Sequence, residues 1–352
     1  MRGLPGTLKG EKMKAAVFTG KEKVQVRNVP IPKIKNDELL IKVKAVGICG
    51  TDIHIFKGEY FTDFPVIPGH EFSGVVEEVG GQTRYFKKGD RVTADPNIFC
   101  ESCYFCKRNL QNHCENLRVI GVSGSNANGA FAEYVAVPYK NVFHLDRSMS
   151  FEQGAFVEPV ACIAHGMDMA EIKFGSEVLI VGAGPIGLLL LQSVRACGGA
   201  KVVMLDVDAK KLKTAKELGA DIALPADGSE PKKLKEIAPW GFDYVIDATG
   251  IPEIVEKSFR YLKKAGTYLV FGVCPKKSTI RVNPYEIFLC DWKIIGSFAI
   301  RKNFSQSINM LSDKKIRTDK LVSLRYPIER FPELLELKMT RLDLMKVQIQ
   351  FD

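Results

Sequence analysis

Cys49 stands in the run Gly47-Ile48-Cys49-Gly50-Thr51-Asp52-Ile53-His54; Pro68-Gly69-His70-Glu71 follows, and Glu158-Pro159 lies far downstream. One thiolate, one imidazole and carboxylates can bind zinc while leaving a coordination position for water or substrate. Taken singly, each residue has a plainer reading. A cysteine in an apolar stretch is usually a small core residue, a histidine beside glycine can cap a turn, and a glutamate before proline can open a solvated helix. Their combination and order point instead to a metal centre.

Cys100, Cys103, Cys106 and Cys114 follow the spacing C-x2-C-x2-C-x7-C. Four thiolates on one loop can enclose a tetrahedral ion, as closed structural zinc sites do. A ferredoxin-type iron–sulfur run shares the first three cysteines but places the fourth three residues on, followed by proline. Here the gap is seven and Glu115 follows. A nucleic-acid zinc ribbon would show two separated C-x2-C knuckles, which are absent. The cluster therefore reads as a structural zinc site.

Gly182-Ala183-Gly184-Pro185-Ile186-Gly187 is a G-x-G-x-x-G that follows the apolar run Val178 to Val181 and opens the helical pattern LLLLQSVRACG. The next apolar run, KVVMLD, ends in Asp206. A strand, a glycine turn, a helix and a second strand ending in an acid are the context this fingerprint requires. The glycines let the backbone approach a pyrophosphate seated on the positive end of the helix. Asp206 would accept hydrogen bonds from the adenosine ribose and repel a 2′-phosphate, which favours NAD over NADP.

The elements that must position these residues fall into two textures. MKAAVFTG, VQVRNVP, ELLIKVKAVGI, FSGVVEEVG, GDRVTAD and FAEYVAVP alternate apolar and polar positions, so residues 1–150 read as an irregular, mainly β domain with a cysteine lobe over about 97–116. From 151 a helical stretch leads into EVLIVG, KVVMLD, DIALP, FDYVIDATG, GTYLVFG and KIIGSF, separated by helical segments. Six near-continuous apolar strands alternating with helices predict an α/β, doubly wound parallel sheet over 151–298. Residues 299–352 add two amphipathic patches, NFSQSINMLSD and IERFPELLELK, and the alternating LMKVQIQF, expected to return to the β domain.

The 352 residues are 46% hydrophobic and 26% charged, the composition of a globular protein of about two domains. No run approaches the ~18 apolar residues of a membrane span, and the N-terminus has no apolar signal core. Residues 1–12 read as an extension ahead of the first strand, without a role in the chemistry. The net charge of +9 is scattered along the chain, which speaks against a nucleic-acid partner and for a solvated surface. Nine cysteines without a signal segment suggest metal sites and buried thiols in a cytoplasmic protein.

In GICGTDIH, PGHEFSGVV, the four-cysteine lobe, GAFAEY, EPVACIAHG and VGAGPIG, taken in order, the whole chain resembles the zinc-containing medium-chain alcohol dehydrogenases of the polyol and threonine dehydrogenase branch. The resemblance implies a GroES-like β domain followed by a Rossmann domain, NAD, and two zinc ions per chain. It implies Cys49, His70 and Glu71 as catalytic zinc ligands, with Glu158 binding directly or through water. Asp52 would orient the ligating histidine. Thr51 and His54 would relay the alcohol proton through the cofactor ribose. Ile186, Asp206, Lys211, Val273 and Ser297, with Gly182, Gly184 and Gly187, fall at cofactor-contact positions. The family also implies a homotetramer or homodimer, joined through an edge strand of the Rossmann sheet.

Two carboxylates at the zinc favour a polar, hydroxylated alcohol as the small-molecule partner. Phe56-Lys57-Gly58-Glu59-Tyr60 resembles bacterial sorbitol-type enzymes. Ala299 departs from the animal sorbitol enzymes, which carry an arginine there (Arg301 is two residues on), and Leu324 departs from the histidine of threonine dehydrogenases. A polyol is thus expected, with L-threonine and butanediol-type alcohols as alternatives. A non-enzymatic, nucleotide-binding role fits poorly with the retained zinc ligands.

Overall fold

The computed structural model of the protein describes residues 10–60, 62–123, 127–341 and 343–352. Residues 1–9 of the expected extension lie outside them, and Lys12–Gly20 already forms the first strand. The chain forms two compact units. One takes the described residues up to Glu158 together with Ser307–Ser312 and Val322–Asp352; the other takes Pro159–Gln306 and Asp313–Leu321.

The first unit is built on a seven-stranded sheet. Val322–Tyr326, Lys346–Gln350, Glu38–Gly47, Glu71–Val79, Arg91–Ala94 and Val142–His144 lie in that order, and Tyr134–Pro138 pairs with Glu38–Gly47 as well. A two-stranded ribbon, Lys12–Gly20 with Lys23–Pro30, accompanies it. Phe18, Phe72 and Phe131 are fully buried in its core beside Phe331 from the helix Phe331–Thr340. The Phe131 and Phe331 ring centroids are 4.4 Å apart, a tilted aromatic contact that locks this helix onto the sheet.

The closing strand departs from simple alternation. Lys346 and Gln348, the polar positions of its alternating run, are both buried. The short helix Phe151–Gly154 covers that side: Glu152 accepts from Gln348 Nε2 through its carbonyl at 3.1 Å and from Gln350 Nε2 through Oε1 at 2.8 Å.

The second unit carries a six-stranded, all-parallel sheet in the order Ile222–Pro225, Lys201–Asp206, Glu177–Val181, Phe242–Asp247, Leu262–Val270, Lys293–Gly296. These are the six apolar runs read from the sequence. Val178 to Val181 are buried throughout because helices shield both faces of such a sheet. The order reverses between Glu177–Val181 and Phe242–Asp247, the switch point where open α/β sheets bind ligands at the carboxyl ends of their strands.

Candidate active site

Three neighbouring strands of the first unit bring the metal-ligating side chains together. Glu38–Gly47 ends one residue before the Ile48-Cys49 turn, Gly47 pairs with Glu71 on one side, and it pairs with Gln348 on the other. Residues remote in sequence thereby converge on one sheet end. Ligand atoms of Cys49, His70 and Glu71 all lie within 4.8 Å of one another, with His70 and Glu71 buried. Glu158, in the first turn of the helix Val157–Ala170, is 9% exposed and lies in the field of the same site, raising the pKa of both His70 and Lys346.

Cys49 caps the helix Gly50–Phe56, and its backbone N–H donates to Asp52 Oδ2 at 2.8 Å. The other Asp52 oxygen faces His70 Nδ1 at 3.6 Å, and neither of these two buried atoms has a hydrogen-bond partner among the described residues. Burial pushes the Asp52 carboxyl up to about 6, against the pull of His70. For His70, burial is the largest influence and opposes its charge. The negative fields of Cys49, Asp52 and Glu158 outweigh it, so the imidazole sits well above its ordinary value. A thiol, an imidazole and a carboxylate with ligand atoms within 4.8 Å of one another, in an acidic and largely buried setting, fit a divalent cation. Zinc bound by thiolate, imidazole and carboxylate suits this donor set.

One member of the site escaped the sequence reading. Lys346 is 5% exposed, and its Nζ sits 2.7 Å from Glu71 Oε1 and 3.4 Å from the Ile48 carbonyl. Burial works against its charge, but Glu71, Cys49 and Glu158 prevail and hold it at about 12. The lone lysine of an otherwise apolar and amide strand end was the available signal.

The first turn of Gly50–Phe56 presents Thr51, whose Oγ1 lies 3.7 Å from Cys49 Sγ. His54, three residues on, shares that helix face. Its Nδ1 is 2.6 Å from Glu59 Oε2, at the surface. Glu59 is thus an unforeseen partner of His54, which in turn holds the Glu59 carboxyl below its ordinary range.

Cys100, Cys103, Cys106 and Cys114 form the other ligand cluster, with all four sulfurs within 4.8 Å of one another. Cys100 Sγ accepts from the Cys103 N–H at 3.4 Å and Cys114 Sγ from the Cys100 N–H at 3.3 Å. Backbone donors at Ser102 and Cys103 lower Cys100 to about 5, whereas burial and its sulfur neighbours push Cys106 up to about 12. Four sulfurs this close repel one another as thiolates, and a bound cation would offset that repulsion.

In the second unit Gly182 takes φ +102°, a left-handed value that favours glycine, and Gly184 caps the helix Pro185–Ala196. A Cβ on Gly187 would lie 1.8 Å from the Gly182 carbonyl oxygen, so only glycine lets the helix start this close to the strand end. Ile186 is half-buried in the first helical turn. Asp206 ends its strand; Oδ2 accepts from the Ala183 N–H at 2.6 Å and Oδ1 from the Asp208 N–H at 2.8 Å. Lys211 lies in the helix Ala209–Glu217, half-buried. Val273 is 74% exposed after the strand Leu262–Val270, and Ser297 lies by Gly166 after the edge strand. The turn, the acid and the helix N-terminus are assembled as a dinucleotide requires.

Comparison with known proteins places the chain in a family. The alcohol dehydrogenase GroES-like domain matches residues 35–147, and the zinc-binding dehydrogenase domain matches residues 185–313. D-arabinitol dehydrogenase 1 of Uromyces fabae is 38% identical over 325 residues, covering 91% of this chain and 92% of its own. D-altritol 5-dehydrogenase of Agrobacterium fabrum is 37% identical over 341 residues, covering 96% and 99%. A Sinorhizobium meliloti chain solved with NADP superimposes with a TM-score of 0.92 at 35% identity, over 97% of this chain and all of that one. The chain belongs to the zinc-containing medium-chain alcohol dehydrogenases, in their polyol branch. It is an oxidoreductase of the alcohol and polyol class, and the GroES-like and Rossmann folds are those that the sequence resemblance implied.

Proposed function

We propose that this protein oxidises a secondary hydroxyl of a polyol to the ketone with NAD, at a zinc held by Cys49, His70 and Glu71 with Glu158 beside it. The observation that carries the reading is the convergence of those three ligands within 4.8 Å, next to Thr51. Relatives named for D-arabinitol and D-altritol support a polyol as substrate.

When bound, zinc supplies Lewis acidity to the substrate hydroxyl and the nicotinamide ring supplies the hydride acceptor. The protein's own residues do the rest. Asp52 Oδ1 faces His70 Nδ1 across 3.6 Å, where its negative field favours the ring orientation that turns Nδ1 away from the metal ligands. Lys346 Nζ holds the Glu71 carboxylate and offsets one negative charge of a strongly acidic site. Thr51 Oγ1 would receive the hydroxyl proton while giving up its own toward His54, and His54, anchored through Nδ1 by Glu59, would release a proton to solvent. Proton transfer of this kind contributes about 10²–10⁴-fold to rate.

Asp206 supports NAD over NADP. Its carboxylate has acceptor capacity beyond the two backbone bonds it makes, and its charge opposes a 2′-phosphate. A second zinc, on Cys100, Cys103, Cys106 and Cys114, shapes the lobe. The first unit thus carries the metal chemistry and the second the dinucleotide. Nine cysteines outside any disulfide suit a cytoplasmic setting. Tyr285, Phe288 and Leu289 on the helix Pro284–Cys290 and Ile294 on the adjoining edge strand are all exposed. That surface suits a homodimer, or a tetramer built from it. NADH formation with a panel of pentitols, hexitols, L-threonine and 2,3-butanediol, run with NAD and NADP, tests the reading. Preference for threonine, or for NADP, would refute it.

A further inference from the structure

Asp247 is a fully buried carboxylate for which the chemistry above has no use. It ends the central strand Phe242–Asp247, in register with Val181 on one side and Val270 on the other. Val181 leads directly into the glycine-rich turn, and Val270 leads into Phe271-Gly272-Val273.

The carboxylate and carbonyl oxygens of Asp247 all accept hydrogen bonds that hold the chain between those two segments. Oδ1 accepts from the Thr249 N–H at 3.0 Å and from Thr249 Oγ1–H at 2.6 Å, and Oδ2 accepts from the Gly250 N–H at 3.1 Å. Thr249 Oγ1 in turn accepts from the Ile251 N–H at 3.1 Å. The Asp247 carbonyl accepts from the Phe271 N–H at 3.2 Å and the Gly272 N–H at 2.9 Å. The tight turn this creates wedges against both neighbours. On one side a Cβ on Gly182 would lie 3.0 Å from Thr249 Cγ2. On the other, Gly250, at φ +64°, faces the Val273 backbone so closely that a Cβ would lie 2.5 Å from its carbonyl oxygen. A Cβ on Gly272 would lie 2.6 Å from Asp247 Oδ2.

We propose that Asp247, acting through Thr249, is a positioning residue for the dinucleotide: its carboxylate sets the spacing between the Gly182 turn and the Gly272–Val273 segment. It touches no reactant itself. The inference rests on the reading of these two segments as the cofactor site. Groups that bind a ligand through backbone contacts need their supporting hydrogen bonds intact to stay within reach. Loss of the carboxylate would loosen the spacing and weaken dinucleotide binding, without touching the zinc ligands or the proton path.

NADH fluorescence titration of the zinc-loaded full chain tests this, alongside KM values for NAD and for the best polyol. Two variants serve. Asp247→Asn keeps an acceptor for Thr249 but turns an amide donor toward the Gly250 N–H. Thr249→Val removes the hydroxyl, with its bonds to Asp247 and from the Ile251 N–H, and keeps side-chain volume and the methyl against Gly182. The expected result is NADH binding weakened about tenfold in D247N and about fivefold in T249V, the loss of one or two hydrogen bonds. Polyol KM and zinc content stay as in the wild type, and kcat at saturating NAD stays within about twofold. NADH affinity unchanged in T249V, with only the melting temperature lowered in either variant, would overturn the inference by showing a purely structural role. No NADH binding by the wild-type chain would overturn the dinucleotide reading itself, and the inference with it.

Discussion

Replacing Lys346 with methionine is the most informative perturbation of the metal site. The lysine side chain is 7% exposed and its partner Glu71 is 2% exposed, with 2.7 Å between Nζ and Oε1. Methionine, one atom shorter, keeps an unbranched apolar stem of similar volume, so the change chiefly removes the charge. Removing one partner of a buried ion pair leaves the other uncompensated in a low dielectric and costs about 3–5 kcal/mol. The exposed pair Lys14–Glu329, whose side chains are 53% and 49% exposed, is the control. Lys14→Met leaves the unfolding midpoint unmoved. Urea unfolding, followed by a probe within the first unit after chelation, reads the difference. Adding Glu71→Gln to Lys346→Met restores most of the lost stability, because the unpaired charge is then gone. A Lys346→Met protein as stable as the wild type, or a double variant no better than the single, would refute the argument that Glu71 is held by this lysine.

Other perturbations separate the remaining parts. Cys106→Ser, at the buried end of the four-cysteine cluster, lowers metal content from two zinc ions per chain to one by elemental analysis. Thr51→Val lowers kcat by about 10²–10⁴-fold, whereas Thr51→Ser retains most of it, since only the hydroxyl carries the proton. Gly187→Ala places a Cβ against the Gly182 carbonyl and abolishes NADH binding while zinc content stays the same. Burial lifts the Asp95 carboxyl to about 6 despite two hydrogen bonds from Asn97, whose acceptor an amide oxygen can replace. Its folded pKa lies above its unfolded one, so the contribution of this group to stability is fullest below pH 4 and is lost as the pH rises through 6. Asp95→Asn, compared by thermal unfolding, therefore matches the wild type at pH 4 and exceeds it by a few kcal/mol, to order of magnitude, at pH 8.

The second unit was legible in the sequence because parallel strands covered on both faces must be apolar throughout. EVLIVG and KVVMLD could hardly be anything else. The first unit was harder to read. Val322–Tyr326 went unrecognised because it is a half-exposed edge strand whose charge and short length resemble a loop. Lys346 was hidden for a different reason. An alternating K-V-Q-I-Q reads as one wet face, and only the helix Phe151–Gly154, folded over that face, turns the polar positions inward. The ligands themselves were legible as residue types in order. Their convergence depends on pairing Gly47 with Glu71 and Gln348, a register that spans some 300 residues of sequence and leaves no local trace. Glu59 sat within a segment noted only for its resemblance, and its link to His54 needed the geometry.

Metal exchange tests whether a zinc on Cys49, His70 and Glu71 drives polyol oxidation. Chelation is continued until elemental analysis shows one zinc lost per chain, and NADH formation from the best polyol is then followed as zinc is restored. The account predicts activity that disappears with that first ion and returns in proportion to zinc rebound, and a Cys49→Ser chain that neither retains the ion nor recovers. Undiminished polyol oxidation by the chelated protein, or by Cys49→Ser, would contradict it.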